Sequence, residues 1–143
     1  MAKRRQGEQR PFRPEILEPF ADAHLVPRLL PGRRVWRYKA TVPIEQIKPT
    51  RKPKATPRDE NQLRRMLVRH FGGVTLPPSS PGYGLRDPNH PEQEPESNYN
   101  AYFVVLAWPG AGADRYFRAL RTELQDALDE GVILIERQVV WIP

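Results

Sequence analysis

Hydrophobic and polar residues alternate most regularly between residues 35 and 44. The apolar positions there are Trp36, Tyr38, Ala40, Val42 and Ile44, and mostly basic or polar side chains stand between them. A period of two is the pattern of a β-strand, in this case with one apolar and one basic face.

Two later stretches, residues 99–108 and 132–142, are rich in aromatic and β-branched residues and predict two further strands. Each is apolar on both faces, so we expect both faces of the sheet to be covered. A short strand is also predicted at residues 74–76, and a strand fragment at residues 83–85.

Two helices are predicted by apolar residues that recur every three or four positions. The first begins at Asp59, an N-cap residue with Gln62 at the spacing of a capping box, and ends at Gly72. His70 lies on its apolar stripe and is expected at the edge of the core. The second helix begins at Asp114. The two stripes are Leu63, Met66, Leu67, His70 and Phe71, then Phe117, Leu120, Leu124, Ala127 and Leu128.

The order of these elements is strand, helix, strand, strand, helix, strand. This order predicts an α+β domain of the ferredoxin-like, split βαβ type, in which a four-stranded antiparallel sheet carries two helices on one face. The first and third strands would then be central. The third predicted strand is the most hydrophobic stretch of the chain, as a central strand requires.

The seventeen prolines divide the chain into regions, because they cluster outside the predicted helices and strands. Residues 1–14 are predicted to be a disordered basic tail. Residues 15–34 are a proline-rich apolar docking segment, and residues 35–143 form the folded domain. That domain carries a basic loop at 47–58 and an acidic, proline-rich loop at 77–98.

The apolar residues of 15–32 cannot form a long helix because Pro19, Pro27 and Pro31 interrupt them. We expect this segment to dock, with docking in cis favoured over docking on a partner. The sheet face away from the helices has three candidate covers: this segment, a second copy of the chain, or nucleic-acid bases. The predicted docking residues are Ile16, Leu17, Phe20, Leu29, Leu30, Tyr99 and Phe103.

Charge is distributed unevenly along the chain. Residues 1–58 hold fifteen Lys and Arg against five Asp and Glu (net +10), and residues 59–143 hold eight against twelve (net −4), which together give the net charge of +6. A cationic front end on a mildly acidic domain indicates an anionic partner.

The basic side chains are the main candidates for contacts with phosphate groups. We expect a nucleic acid or a nucleoprotein assembly as the partner, although an acidic protein would suit the same charges. The predicted anion-binding residues are Lys48, Arg51, Lys52, Lys54 and Arg58, with Arg37, Lys39, Lys3, Arg4 and Arg5.

No catalytic residue, metal site or cofactor is predicted. Cysteine is absent, which excludes disulfides and thiolate chemistry, and the three histidines share no ligand spacing. No stretch resembles a signal peptide or a membrane span, so a cytoplasmic protein without membrane contact is expected.

Three functions remain open at this point. The favoured one is a non-enzymatic module that binds nucleic acid. The alternatives are a component of a protein assembly, including a homo-oligomer formed through the sheet face, and a small ligand-sensing domain or enzyme.

Three stretches, LRRMLVRHFGGVTLPP followed by GYG, then YFRALRTELQDAL and EGVILIE, resemble those of small bacterial ferredoxin-like proteins of uncharacterised function. The resemblance covers residues 60–138. It implies the fold, and because its motifs are structural it implies no functional residue.

Overall fold

The computed structural model describes residues 10–44, 55–85, 87–128 and 133–143. The strands are β1 (Arg34–Ile44), β2 (Ser80–Gly84), β3 (Glu96–Ala107) and β4 (Leu134–Trp141), and the helices are α1 (Pro57–Phe71) and α2 (Ala111–Leu128). Two short 3-10 helices, Pro14–Phe20 and Ala23–Leu25, precede β1.

The four strands form one antiparallel sheet in the order β2-β3-β1-β4, and the protein is of the α+β class. The long strands β1 and β3 lie in the centre and pair from Trp36 opposite Ala107 to Ile44 opposite Tyr99. Residues that stand opposite each other, such as Tyr38 and Val105 or Ala40 and Phe103, therefore project to the same side of the sheet.

The core lies between one face of the sheet and the two helices. Tyr38, Ala40 and Val42 of β1 are buried on this face, and the ring of Tyr38 stacks on Phe117 of α2 with centroids 3.9 Å apart. Phe103 of β3 belongs to the same cluster. The alternation seen in the sequence thus correctly identified the buried face of β1.

Helix α1 starts earlier than predicted. Its N-cap is Thr56, whose hydroxyl accepts a hydrogen bond from the backbone N–H of Asp59, while the Asp59 carboxylate accepts from the N–H of Thr56. The prediction that Asp59 is the N-cap was wrong, because Asp59 occupies the third helical position of a capping box. Gly72 ends the helix in the left-handed conformation, as predicted.

Helix α2 also begins before its predicted start, at Ala111. Asp114 is therefore not the N-cap but a residue of the first turn. Its carboxylate accepts a hydrogen bond from the Tyr38 hydroxyl at 2.6 Å and forms an ion pair with Arg137 at 2.7 Å. Asp114 thus joins α2 to two strands of the sheet.

The second strand lies outside the predicted 74–76 stretch. Only Thr75 of that stretch pairs with β3, as an isolated bridge to Val104, and β2 itself is formed by Ser80–Gly84. The predicted loop over 77–98 is therefore interrupted by β2 at residues 80–84 and ends at residue 96, where β3 begins, and the strand fragment predicted at 83–85 overlaps the end of β2. Pro81 is tolerated because β2 is an edge strand, where a missing N–H need not cost a ladder hydrogen bond.

Residues 10–25, which we name the N-terminal segment, pack between the two helices. Phe12, Leu17 and Leu25 are buried, and the backbone N–H of Phe12 donates to Asp59 at the start of α1. The apolar docking segment therefore docks in cis. Residues 10–14, which the sequence placed in a disordered tail, belong to this segment, and Pro14 begins the first 3-10 helix, while residues 1–9 lie outside the described residues.

A buried ion pair fastens the start of this segment to α2. Glu123 is almost fully buried, and it accepts hydrogen bonds from the Arg10 guanidinium at 2.5 and 2.9 Å and from the backbone N–H of Arg13 at 2.9 Å. Arg10 also contacts Asp126. One cation of the basic front end is thus neutralised by carboxylates of the domain itself.

The segment ends where α2 begins. The carbonyl of Leu25 accepts a hydrogen bond from the backbone N–H of Trp108, and the side chain of Leu25 lies close to Gly112. The chain then passes to the other face of the sheet. There Val26 and Leu29 border a cavity of about 610 Å³ together with Arg37, Val104 and residues 72–75. Residues of the 15–32 segment therefore cover part of that face.

Candidate functional site

The basic residues predicted to bind anions are separated in the structure. Arg37 and Lys39 share the sheet face away from the helices, where Arg37 donates to Gln138 and Lys39 pairs with Glu136 at 3.3 Å. Arg58 is exposed in the first turn of α1, on the opposite side of the sheet. The remaining predicted cations lie outside the described residues, namely Lys3, Arg4, Arg5, Lys48, Arg51, Lys52 and Lys54.

Two of the predicted docking residues are part of the core. Leu17 is fully buried beside the helices and Phe103 is 3% exposed, so neither is accessible to a partner. The prediction that Phe103 contacts a partner was wrong, because its side of β3 faces the helices. Leu17 docks on the helices of its own chain. The predicted docking residues that stay exposed are Ile16, Phe20, Leu29, Leu30 and Tyr99.

Cationic side chains converge between α2 and β4. Arg118 and Arg121 lie one helical turn apart on α2 and line a cavity of about 210 Å³ together with Arg137 of β4, Asp114 and Tyr38. Three guanidinium groups against one carboxylate leave this cavity with a net charge of +2. Its electrostatics therefore suit an anion.

The one acidic residue of the cavity is held by fixed partners. Burial raises the pKa of Asp114, but hydrogen bonds from Tyr38 and Arg137 outweigh it and hold this pKa below its ordinary value. Burial and the bond to Asp114 raise the pKa of Tyr38 well above its usual range. Asp114 thus stays ionised and Tyr38 neutral, so Arg118 and Arg121 are left to meet a ligand.

Two tryptophans, one on β1 and one on the edge strand β4, extend this cationic region over the sheet. The Arg137 guanidinium lies 4.2 Å from the ring centroid of Trp36, and the Arg34 guanidinium lies 4.5 Å from that of Trp141. Trp141 is 60% exposed although it is a large aromatic residue. The cationic–aromatic surface is defined by Arg34, Trp36, Arg118, Arg121, Arg137 and Trp141.

The sheet register explains why these side chains share one face. Arg34 is opposite Trp141 and Tyr38 is opposite Arg137, and directly opposed residues of antiparallel strands project to the same side. This side also carries α2. Sequence reasoning missed the surface because α2, β1 and β4 come together only in the fold. Two signals in the sequence could have indicated it. Arg118 and Arg121 have the spacing of one helical turn, and Arg137 lies on the same side of the last strand as Ile135 and Trp141.

The chemistry of this surface is that of binding. Arginine forks donate to phosphate or carboxylate oxygens, and an arginine over an aromatic ring holds both groups in place. Within the described parts of the chain, no three His, Asp or Glu side chains are grouped so as to hold a metal ion. No helix of the described residues is both long and apolar enough to cross a membrane.

Comparison with known proteins yields a similarity of fold. No protein-family model matches the chain, and no curated protein is significantly similar to it. A solved structure with a similar fold is that of a phage SAM lyase in complex with S-methyl-5'-thioadenosine. It is 13% identical, the match covers 80% of this chain and 86% of that chain, and the TM-score is 0.55.

Proposed function

We propose that this protein binds nucleic acid through the cationic–aromatic surface between α2 and β4. The observation that carries the proposal is the convergence of Arg118, Arg121 and Arg137 on one cavity beside two arginine-capped tryptophans. No catalytic step is part of this function.

The arginines supply the affinity for the backbone. Each cation that neutralises a phosphate releases condensed counterions, so binding is strong at low salt and weakens as salt rises. The carboxylate of Asp114 forms its hydrogen bonds with Tyr38 and Arg137, whereas Arg118 acts on it only through its charge. The donors of Arg118 and Arg121 would therefore meet phosphate oxygens.

Trp141 supplies a contact with a base. Its exposed ring is covered on one face by the Arg34 guanidinium and presents its other face for stacking, which is how single-stranded nucleic acids are held irrespective of sequence. Trp36 is half-buried against the core and holds Arg137 in place. Trp141 and Arg137 are four positions apart on β4, about 13 Å along the strand. Phosphate and base contacts can therefore alternate along this edge.

An electrophoretic shift titration tests the proposal with a matched pair of variants. The wild type is expected to retard single-stranded DNA or RNA at low salt. Arg118→Ala/Arg121→Ala is expected to lower the affinity at least about tenfold and to reduce the slope of log K against log salt by about 1.4, the value for two lost phosphate contacts on a single strand.

The control variant is Arg28→Ala/Arg65→Ala, which removes the same charge from exposed positions outside the cavity. It is expected to bind almost as the wild type does. Absence of any shift by the wild type, or an equal loss in the two double variants, would contradict the proposal.

We also infer that the domain adopts the ferredoxin-like arrangement. The order of strands and helices along the chain and the central position of β1 and β3 in the sheet support this assignment. The cations predicted at residues 3–5 and 48–54 remain predicted additional contacts to the nucleic acid.

S-Adenosylmethionine is a second candidate ligand, supported by the similarity of fold to a SAM lyase. Incubation with S-adenosylmethionine and chromatography of the products is the test. Release of S-methyl-5'-thioadenosine above the uncatalysed rate would support a lyase, and unchanged substrate would rule it out.

A further inference from the structure

The edge of the sheet is interrupted between Thr75 and Ser80. Thr75 pairs with Val104, and Ser80 pairs with Asn100. Four residues of the edge, 76–79, therefore stand opposite three residues of β3, 101–103, so the edge has one residue too many for regular pairing.

The middle one of these three β3 residues is Tyr102. Counted from Ser80 its partner would be Pro78, and counted from Thr75 its partner would be Pro77. Neither proline has an N–H group, so neither can donate to the carbonyl of Tyr102. The two prolines thus break the ladder at this position.

The main-chain polar groups of Tyr102 point out of the sheet at this gap. Val104 exchanges both of its backbone hydrogen bonds with Thr75, and alternate residues of a strand direct these groups to the same side. No backbone hydrogen bond joins Tyr102 to residues 76–79, a stretch that lies wholly within the described chain. An N–H donor and a C=O acceptor therefore stand side by side.

A cavity of about 310 Å³ opens at this gap, between the edge of the sheet and α1. Glu60, Asn61 and Arg64 line it from the helix, and Ala101, Tyr102 and Phe103 of β3 line it from the sheet. Burial raises the pKa of Glu60, with the charge of Arg64 acting in the opposite sense. The size is at the lower end of ligand pockets, which is suitable for a compact, flat molecule.

We propose that this cavity binds a free nucleotide, whose base pairs with the main chain of Tyr102. A nucleobase carries a donor and an acceptor side by side on one edge, which matches the N–H and C=O of one strand residue. The inference does not rest on the nucleic-acid surface, since α1 and β2 take no part in that surface.

The helix side chains complete the recognition. Glu60 and Asn61 offer acceptors for the hydroxyl groups of a ribose, and Arg64 offers a cation for the phosphate. Arg64 already contacts Asn61, so the two groups reach the same space. The chemical class that fits is a nucleoside monophosphate.

Calorimetric titration with AMP tests the base contact. The comparator is purine riboside monophosphate, which keeps the ribose and phosphate but lacks the exocyclic amino donor. AMP is expected to bind at least about tenfold more tightly, because the comparator leaves the Tyr102 carbonyl unpaired. Equal affinities, or no binding of AMP, would overturn the inference.

A variant that closes the gap tests the site without removing any of its side chains from α1 or β3. Pro77→Val/Pro78→Val supplies the missing N–H groups, and it is expected to extend the edge strand and abolish AMP binding. Pro81→Val is the matched control, because residue 81 pairs opposite Tyr99, whose polar groups face β1, and a new N–H there points away from β3. Retained binding in the double variant would overturn the inference.

Two further variants test the phosphate contact and separate the cavity from the cationic–aromatic surface. Arg64→Ala is expected to weaken AMP about tenfold and adenosine little, since only AMP carries the phosphate. Equal losses for the two ligands would count against the phosphate contact. Arg118→Ala/Arg121→Ala is expected to leave AMP binding unchanged. The variant therefore distinguishes a loss of nucleic-acid binding from a loss of nucleotide binding.

Discussion

His70 joins the first helix to two other parts of the molecule. Its Nδ1 lies 2.7 Å from the Tyr116 hydroxyl, and its Nε2 lies 3.4 Å from Glu18 of the N-terminal segment. The sequence predicted its burial from the apolar stripe of α1, and this is confirmed by an exposure of 7%. Its partners could not be predicted, because they lie far away in the chain.

The ionisation of His70 makes stability depend on pH. Burial, aided by the positive charge of Arg69, lowers the pKa of His70 in the folded protein. The unfolded chain therefore takes up the proton first, near pH 6.5. The contribution to the free energy of unfolding is complete above that pH and is lost progressively as the pH falls below it.

Urea unfolding between about pH 7.5 and about pH 5 measures this effect. The wild type is expected to lose stability on acidification across this range, and His70→Gln is expected to lose less. His90→Gln is the control, since it removes a histidine that is exposed and lies outside the core. A wild type that becomes more stable on acidification would show that the Glu18 carboxylate outweighs burial.

At the scale of elements, local sequence patterns identified both helices and the long strands but not all of their ends. Asp59 with Gln62 and Thr56 with Asp59 both have capping-box spacing, and only the fold selects the second pair. Strand β2 was predicted only as a fragment at residues 83–85, because its proline and two glycines have poor strand propensity. Pairing with β3 forms this strand, and such pairing is not visible in a local pattern.

The start of α1 yields a prediction of its own. Thr56→Ala removes the hydroxyl that accepts from the Asp59 N–H and is expected to cost about 1 kcal/mol of unfolding free energy. Thr56→Ser keeps that hydroxyl and should restore most of the loss. Denaturant midpoints of the three proteins provide the measurement, and equal losses for alanine and serine would contradict the capping role.

At the scale of the whole molecule, the charge asymmetry of the sequence is partly cancelled by folding. Arg10 of the front end pairs with Glu123 and Asp126, and Lys39 pairs with Glu136. The positive surface that remains within the described residues includes Arg118 and Arg121, which belong to the acidic part of the chain. Net charge along the sequence could indicate an anionic partner, but only the fold locates a surface for one.

The N-terminal segment is an integral part of the fold, because its apolar residues fill the groove between α1 and α2. Leu17 is fully buried there, whereas its neighbour Ile16 is 39% exposed. Leu17→Ala is expected to destabilise the protein by about 3 kcal/mol, the usual cost of truncating a fully buried leucine.

Ile16→Ala is the matched control and is expected to cost less than about 1 kcal/mol, because a surface substitution leaves no cavity. Chemical denaturation of both variants separates the two cases. If the segment were only laid on the surface of an independently stable domain, the two substitutions would have equally small effects. A large loss confined to Leu17→Ala means that the groove cannot remain closed without the segment, and that the domain extends from the first described residues to β4.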